Sequence, residues 1–287
     1  MKFNEVLVTP DIAVQYLTKN QNNRPLDRFH VLKLSKDIAD GKWSMNGDTI
    51  RFNKDGELID GQHRLNAVIK AGVPVPMIIV TDIEDPHAFR TIDTNSKLRN
   101  VGQVLGLMNV KNGFVAGAVA RRLIHWETTE DKSTFSLDVA NYRYVSTADI
   151  IQYVENNNEE IQYMVLKMKR SLIFKQCGAG TILVTSLIIC SRYNEEEAEE
   201  FINALISGYH PQMDSPVIRL RDRLLTPPDR KGNKWELELM AIVFKAFRKF
   251  LDHQPIKQLR WVFEGNNKEP FPFLETEIDK QEVLELE

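Results

Sequence analysis

Gly56-Glu57-Leu58-Ile59-Asp60-Gly61-Gln62-His63-Arg64-Leu65-Asn66-Ala67-Val68-Ile69-Lys70-Ala71-Gly72 reads as a short strand, a tight turn and a helix. Leu58 and Ile59 supply the apolar part of the strand. Leu65, Val68, Ile69 and Ala71 give the helix a packing face, and Gly72 suits a helix C-terminus. Gly61 stands where a strand-to-helix turn needs unusual backbone angles or close approach to a ligand. The start of a helix presents unpaired backbone N–H groups and positive potential, which favour an anion. Asp60, Gln62, His63 and Arg64 crowd the same turn, and an arginine there adds a forked cationic donor.

Outward from this stretch, the first hundred residues alternate strand and helix signals. Glu5 to Val8 is β-rich, and Thr9-Pro10 is a helix start with a capping hydroxyl and a proline at the first helical position. Leu26 to Gly41 has a helical period. Thr49 to Phe52 and the run through Ile59, joined by Asn53-Lys54-Asp55-Gly56, predict a hairpin. Pro74 to Thr81 is almost continuously apolar, as in a buried strand, and Asp85 to Phe89 predicts a short helix. Ile92 to Ser96 then reads as a polar loop before a helix near Val101. Beyond it strand signals fade. Helices are expected at Phe114–Trp126, at a segment capped by Ser146, and at Glu159–Leu172, Gly178–Ser191, Glu195–Ile206, Pro216–Leu225 and Trp235–Leu251. In the first of these, Val115, Val119, Leu123 and Trp126 are spaced for burial. Glu127 to Tyr144 reads as a polar connection, and Leu259 to Phe263 as a strand or extended segment. The expected fold is α+β: a small α/β domain over residues 1–100, then an α-helical domain over 101–287 with an acidic C-terminal tail.

Asp60-Gly61-Gln62-His63-Arg64 resembles the DGQHR form of the turn found in the ParB/sulfiredoxin-like superfamily. Asn23-Arg24-Pro25 is similar to the short Arg- and Pro-containing box that precedes this turn in partition proteins. Gly41-Lys42-Trp43 and Ile92-Asp93-Thr94 through Arg99 extend the likeness to ParB-like proteins of phages and prophages. The superfamily includes nucleotide-dependent partition proteins, sulfiredoxin and an ADP-dependent serine kinase, all of which hold nucleotide phosphates at the turn. The resemblance therefore implies a nucleotide (CTP, ATP or ADP, with Mg2+ carried on it) at Arg24, Gly61, Gln62, His63 and Arg64. It also implies DNA as a partner and a homodimer as the assembly. Three departures narrow the chemistry. Gln62 replaces the cysteine that sulfiredoxin needs, Gln62-His63-Arg64 replaces the Glu-Arg-Arg of partition proteins, and the kinase has a second histidine where Gln62 stands.

A phosphotransferase on the same scaffold would recruit His63, Asp60 or Asp93 as acid or base. A nuclease is the weaker rival, because no carboxylate cluster for metal stands out. A third reading is a protein-interaction module whose turn has lost its ligand. The bland alternatives are a helix-capping turn for residues 60–64, a structural hydrogen bond for His63, a solvent-exposed loop arginine for Arg24, and an ion-paired linker for Asp93, Thr94, Asn95, Lys97 and Arg99. Glu57 is expected at an edge or exposed. Arg219, Arg221, Arg223 and Arg230-Lys231 form one basic run, and Lys245, Arg248, Lys249, Lys257 and Arg260 another. Lys245, Arg248 and Lys249 share one face of an amphipathic helix and are the DNA-contact candidates.

Composition bounds these readings. With 37 Lys and Arg against 40 Asp and Glu, the net charge of −3 gives no global basic field. The two cysteines, Cys177 and Cys190, fit neither a metal-ligand spacing nor a disulfide framework, and buried free thiols are expected. No signal-like apolar core and no run long enough to cross a bilayer is present, so no membrane partner is expected. The cytoplasm of a bacterium or a phage-infected host is the expected setting.

Overall fold

The computed structural model describes residues 1–21, 23, 25–85, 99–132, 135–136, 145–212, 214–227, 233–262 and 268–274. The fold is mixed α+β. The chain forms two compact units, one from Met1–Arg99 with Arg143–Asp149, the other from Asn100–Tyr142 with Ile150–Glu287. No helix among the described residues is long and apolar enough to cross a membrane.

The first unit contains β1 (Lys2–Val8), α1 (Pro10–Leu17), α2 (Arg28–Ala39), β2 (Thr49–Asn53), β3 (Leu58–Asp60), α3 (Gln62–Ala71) and β4 (Val75–Ile83). The strands form one sheet in the order β1-β4-β2-β3. β4 runs antiparallel to β1, with Phe3 opposite Val80, and parallel to β2, with Ile50 opposite Ile79. β2 and β3 make the expected antiparallel hairpin, with Arg51 opposite Asp60. Strand alternation sends Ile50, Phe52, Val75, Met77 and Ile79 to one face, where they meet Ala13 of α1, Val31 and Ile38 of α2, and Leu65 and Val68 of α3. The near-continuous apolar run of β4 is explained by its place between β1 and β2. Thr9 caps α1 by accepting from Ile12 N at 3.2 Å. α2 starts two residues later than its apolar period suggests. Asp27 is the cap there, accepting from Phe29 N at 2.9 Å and His30 N at 3.1 Å.

The second unit is helical over its described residues: α4 (Val101–Leu107), α5 (Gly113–Thr128), the body of α6 (Thr147–Asn156), α7 (Asn158–Lys169), α8 (Leu172–Gln176), α9 (Gly180–Tyr193), α10 (Glu195–Ser207), α11 (Pro216–Leu225) and α12 (Asn233–Leu251). α9 is its central element. Ile182 through Cys190 are all buried, so the helix has no polar stripe for water. Thr185 and Ser186 are accommodated because each hydroxyl donates to the carbonyl four residues earlier. Cys177 and Cys190 are buried free thiols, and burial pushes both above the ordinary thiol range.

Several expectations need correction. The helix expected over Glu159–Leu172 is two helices. The chain breaks at Arg170-Ser171, and Ser171 Oγ caps α8 by accepting from Phe174 N at 3.2 Å. Val115 is only half-buried, because the packing face of α5 runs through Ala116, Val119, Ala120, Leu123 and Trp126. In the expected polar connection, Glu127 and Thr128 still belong to α5, and Phe135 is buried against Trp126 with ring centroids 5.0 Å apart. Residues 259–262 form no strand, although Leu259 and Trp261 are buried. The expected helix of Asp85–Phe89 and the loop of Ile92–Ser96 lie outside the described residues, apart from Asp85.

Within the first unit, the Asp149 carboxylate meets two lysines of the α2 region. Asp149 is 8% exposed and pairs with Lys36 Nζ at 2.6 Å and with Lys42 Nζ. Its side chain also accepts from Ser146 N at 3.1 Å, while Ser146 Oγ accepts from Asp149 N at 3.0 Å, a reciprocal box at the start of α6. Burial opposes ionisation of Asp149, but the two ammoniums and the Ser146 N–H overcome it and hold the carboxyl down at about 2. Neighbouring Asp37 is pushed up, chiefly by burial, and its Oδ1 has no hydrogen-bond partner. Because the Asp149 carboxyl is held down, its stabilising effect is complete above the ordinary carboxylate range and is lost as pH falls toward about 2. Asp149→Asn should therefore lower stability by roughly 2 kcal/mol at neutral pH. Urea unfolding of the variant and the parent should converge as the pH is brought down through that range.

Candidate functional site

The turn after β3 is fixed by Gly61. Its φ of 106° lies in the left-handed region. A Cβ built there would stand 2.5 Å from Ile50 Cδ1 and 3.2 Å from Ile50 Cα. Glycine is thus required twice, by conformation and by the approach of β2. Gly61 is also the residue before the first turn of α3, which has no side-chain cap. Gly72 closes the other end at φ 68°, and its N–H donates to Val68 O.

The polar groups of the turn each find protein partners. Arg64 Nη2 donates to Thr49 O at 2.7 Å and to Asp60 Oδ2 at 3.0 Å. Its Nη1 lies 3.8 Å from Asp48 Oδ2, and Arg51 Nη1 lies 3.5 Å from the same Asp60 oxygen. Two guanidiniums and two carboxylates therefore balance beside the helix start. Arg64 is not fully satisfied: its buried Nε has no hydrogen-bond partner. Gln62 is buried and accepts from Asn20 Nδ2 at 3.2 Å. Asn23 Nδ2 donates to Leu58 O at 2.8 Å and to Asn20 Oδ1 at 2.6 Å.

His63 is buried, and its Nε2 accepts from Asp27 N at 3.0 Å. An accepting Nε2 places the ring proton of the neutral imidazole on Nδ1. The ring also meets His30 edge-on, with centroids 5.3 Å apart. His63 thus fastens the start of α2 to the start of α3. Asp27 is the partner that sequence reasoning missed, because a residue between a proline loop and a helix shows only its capping role.

Arg24 and Asp93 lie outside the described residues, as do Thr94, Asn95 and Lys97. The residues around position 24 are nevertheless held to the turn, Asn23 through Leu58 and Asp27 through His63. Glu57 is half-buried and turned inward, accepting from the buried Asn53 side chain at 2.9 Å. No group of three or more His, Cys, Asp or Glu that could hold a metal occurs among the described residues.

Several cations of the basic runs of the second unit have partners within that unit. Lys245 Nζ donates to Arg260 O at 2.8 Å and pairs with Glu269 at 2.6 Å. Arg248 Nη1 donates to Phe273 O at 3.4 Å, and Lys249 to Gln254. Lys245 and Arg248 hold the segment of residues 268–274, whose Phe271 packs on Trp261 at 5.5 Å between centroids. On α11, Arg219 pairs with Asp214, Arg223 pairs with Glu238, and Arg221 Nη1 donates to the Leu205 and Ile206 carbonyls at the end of α10. Arg230 and Lys231 lie outside the described residues.

No protein-family model, no curated protein and no solved structure matches the chain.

Gly61→Ala should be among the most damaging single-methyl changes in the first unit. Left-handed strain and the clash with the Ile50 backbone together should cost about 2–4 kcal/mol. Thermal or denaturant unfolding would measure the loss, and Gly56→Ala is the comparison. It shares a positive φ of 79° but meets nothing within 4 Å, so it should lose less.

Proposed function

We propose that the first unit binds a nucleotide, with its phosphates at the start of α3 and Arg64 as the cationic contact. The observation that carries this reading is the incomplete satisfaction of Arg64. The guanidinium is mostly enclosed at the first turn of a helix without a side-chain cap, its Nε has no partner, and its Nη1 reaches only Asp48 at 3.8 Å. A phosphate oxygen would satisfy such donors better than a half-exposed carboxylate does, and helix N–H groups favour the same anion. The fastened loop on either side of position 24 supports Arg24 as a second contact. This reading follows the resemblance to ParB-like proteins, and engagement of DNA rests on that resemblance alone, since Lys245, Arg248 and Lys249 have protein partners.

A phosphotransferase would use the same cradle with Mg2+ on the nucleotide. His63 is poorly placed to remove a substrate proton, because its Nε2 lone pair already receives the Asp27 N–H. A second reading has its own observation. Asp60 and Thr49 hold Arg64 as an internal brace, and a turn that is only a brace needs no ligand.

Titration of the purified protein with CTP, ATP, ADP and GTP, with and without Mg2+ and duplex DNA, separates these readings. Saturable binding of at least one nucleotide is expected, and Arg64→Ala should abolish it. Asp60→Asn should tighten it about tenfold by removing the carboxylate that competes for Arg64. Absence of binding by both the parent and Asp60→Asn would establish the brace and overturn the nucleotide reading. Product that forms only with a small-molecule acceptor would identify a phosphotransferase.

A further inference from the structure

Several cations of the second unit have a carboxylate partner in the structure, among them Arg122 with Glu236, Lys167 with Glu199, and Arg192 with Glu127 and Glu160. At the turn between α4 and α5 and at the adjoining end of α7, the cations Lys111 and Arg170 have no ion-pair or side-chain hydrogen-bond partner among the described residues. Lys169 donates only to the neutral Asn112 side chain, at 2.7 Å. The region is one surface, because Gln162 of α7 donates to Lys111 O at 2.7 Å while Lys169 holds Asn112. Leu166 lies between these two anchors on the same stripe of α7.

The same surface exposes large apolar side chains. Leu107 is 68% exposed and Phe114 is 65% exposed, with Met108 and Leu166 also exposed. The Phe114 side chain borders α4 yet keeps most of its surface open. Its ring already lies against Gly102, where an added Cβ would meet it at 2.6 Å. Apolar side chains beside cations that lack a carboxylate partner suit an acidic segment that carries its own apolar groups. They do not suit a bare polyanion, which would leave the apolar centre wet.

We propose that this surface is the docking site of the chain's own C-terminal segment, residues 275–287. That segment has the complementary composition: Glu275, Glu277, Asp279, Glu282, Glu285 and Glu287 against a single Lys280, with Ile278, Val283, Leu284 and Leu286 among them. It is also long enough. The described chain ends at Leu274, three residues after Phe271, whose ring is 6.3 Å from that of Trp126 near the C-terminal end of α5. Phe114 lies twelve residues back along α5, about 18 Å away by helix rise. Thirteen extended residues span up to roughly 43 Å. Docking would cover Lys111, Lys169, Arg170 and the exposed phenylalanine together. The inference is independent of nucleotide binding in the first unit.

Hydrogen exchange of the full-length chain, read by mass spectrometry over residues 104–118 and 162–176, tests it. Amides of the α4–α5 turn should exchange about tenfold faster in Leu284→Ser/Leu286→Ser than in the parent, and molar salt should speed exchange in the parent toward the variant. Lys169→Glu/Arg170→Glu should have the same effect, and adding Glu282→Lys/Glu285→Lys should restore slow exchange. Identical exchange in the parent and the tail variant would overturn the proposal. Protection that grows with protein concentration would overturn it in its within-chain form, by assigning the tail to a second copy.

Discussion

At Gly61 a helix begins in contact with the backbone of a neighbouring strand, and the rest of the first unit depends on that approach. A side chain on residue 61 would begin 2.5 Å from Ile50 Cδ1 and 3.2 Å from Ile50 Cα. Because no such side chain exists, α3 starts close to β2. Leu65 and Val68 then reach the core shared by Ile50, Met77 and Ile79. The same closeness puts Arg64 within reach of the Thr49 carbonyl, so the packing contact and the polar cluster have one geometric origin.

The polar groups around this turn show how buried and half-buried charges and amides are satisfied from within the protein. Enclosed charges and amides are costly when unpaired. Here Asp60, Thr49, Asn20 and Asp27 supply partners for Arg64, Gln62 and His63. The nucleotide proposed for this turn would enter by exchange, replacing internal hydrogen bonds rather than filling an empty socket. Its affinity is then the difference between two sets of polar contacts, and Asp60 is the contact whose charge opposes an anion most directly.

Much of the fold was legible because its signals are local. Thr9-Pro10, the turn of residues 53–56, Gly72 and the apolar run of β4 each specify their structure within a few residues. The break between α7 and α8 was hidden because Leu172 and Ile173 continue the apolar period beyond Ser171, and only the capping bond to Phe174 N shows which way the serine acts. Among site residues, the need for glycine at position 61 could be read from strand–turn–helix context. The partners of the charges could not. Asp60 is four residues from Arg64 and could have been inferred, whereas Asp27 meets His63 across 36 residues. The arginines of α11 looked like a basic run for the same reason. Their partners include Glu238 and the carbonyls of α10, and sequence spacing carries no information about either.

Helix α6 has a divided allegiance: its opening residues through Asp149 belong to the first unit, and the remainder to the second. The first unit is therefore not one uninterrupted length of chain. A gene fragment ending at Arg99 would encode every strand of the sheet, yet omit the carboxylate that neutralises Lys36 and Lys42. Those two ammoniums would then share only Asp40, 3.9 Å from Lys36 and 3.4 Å from Lys42. A faithful excision of this unit has to splice residues 143–149 back in, so the natural seam for dissecting the protein is a pair of cuts rather than one.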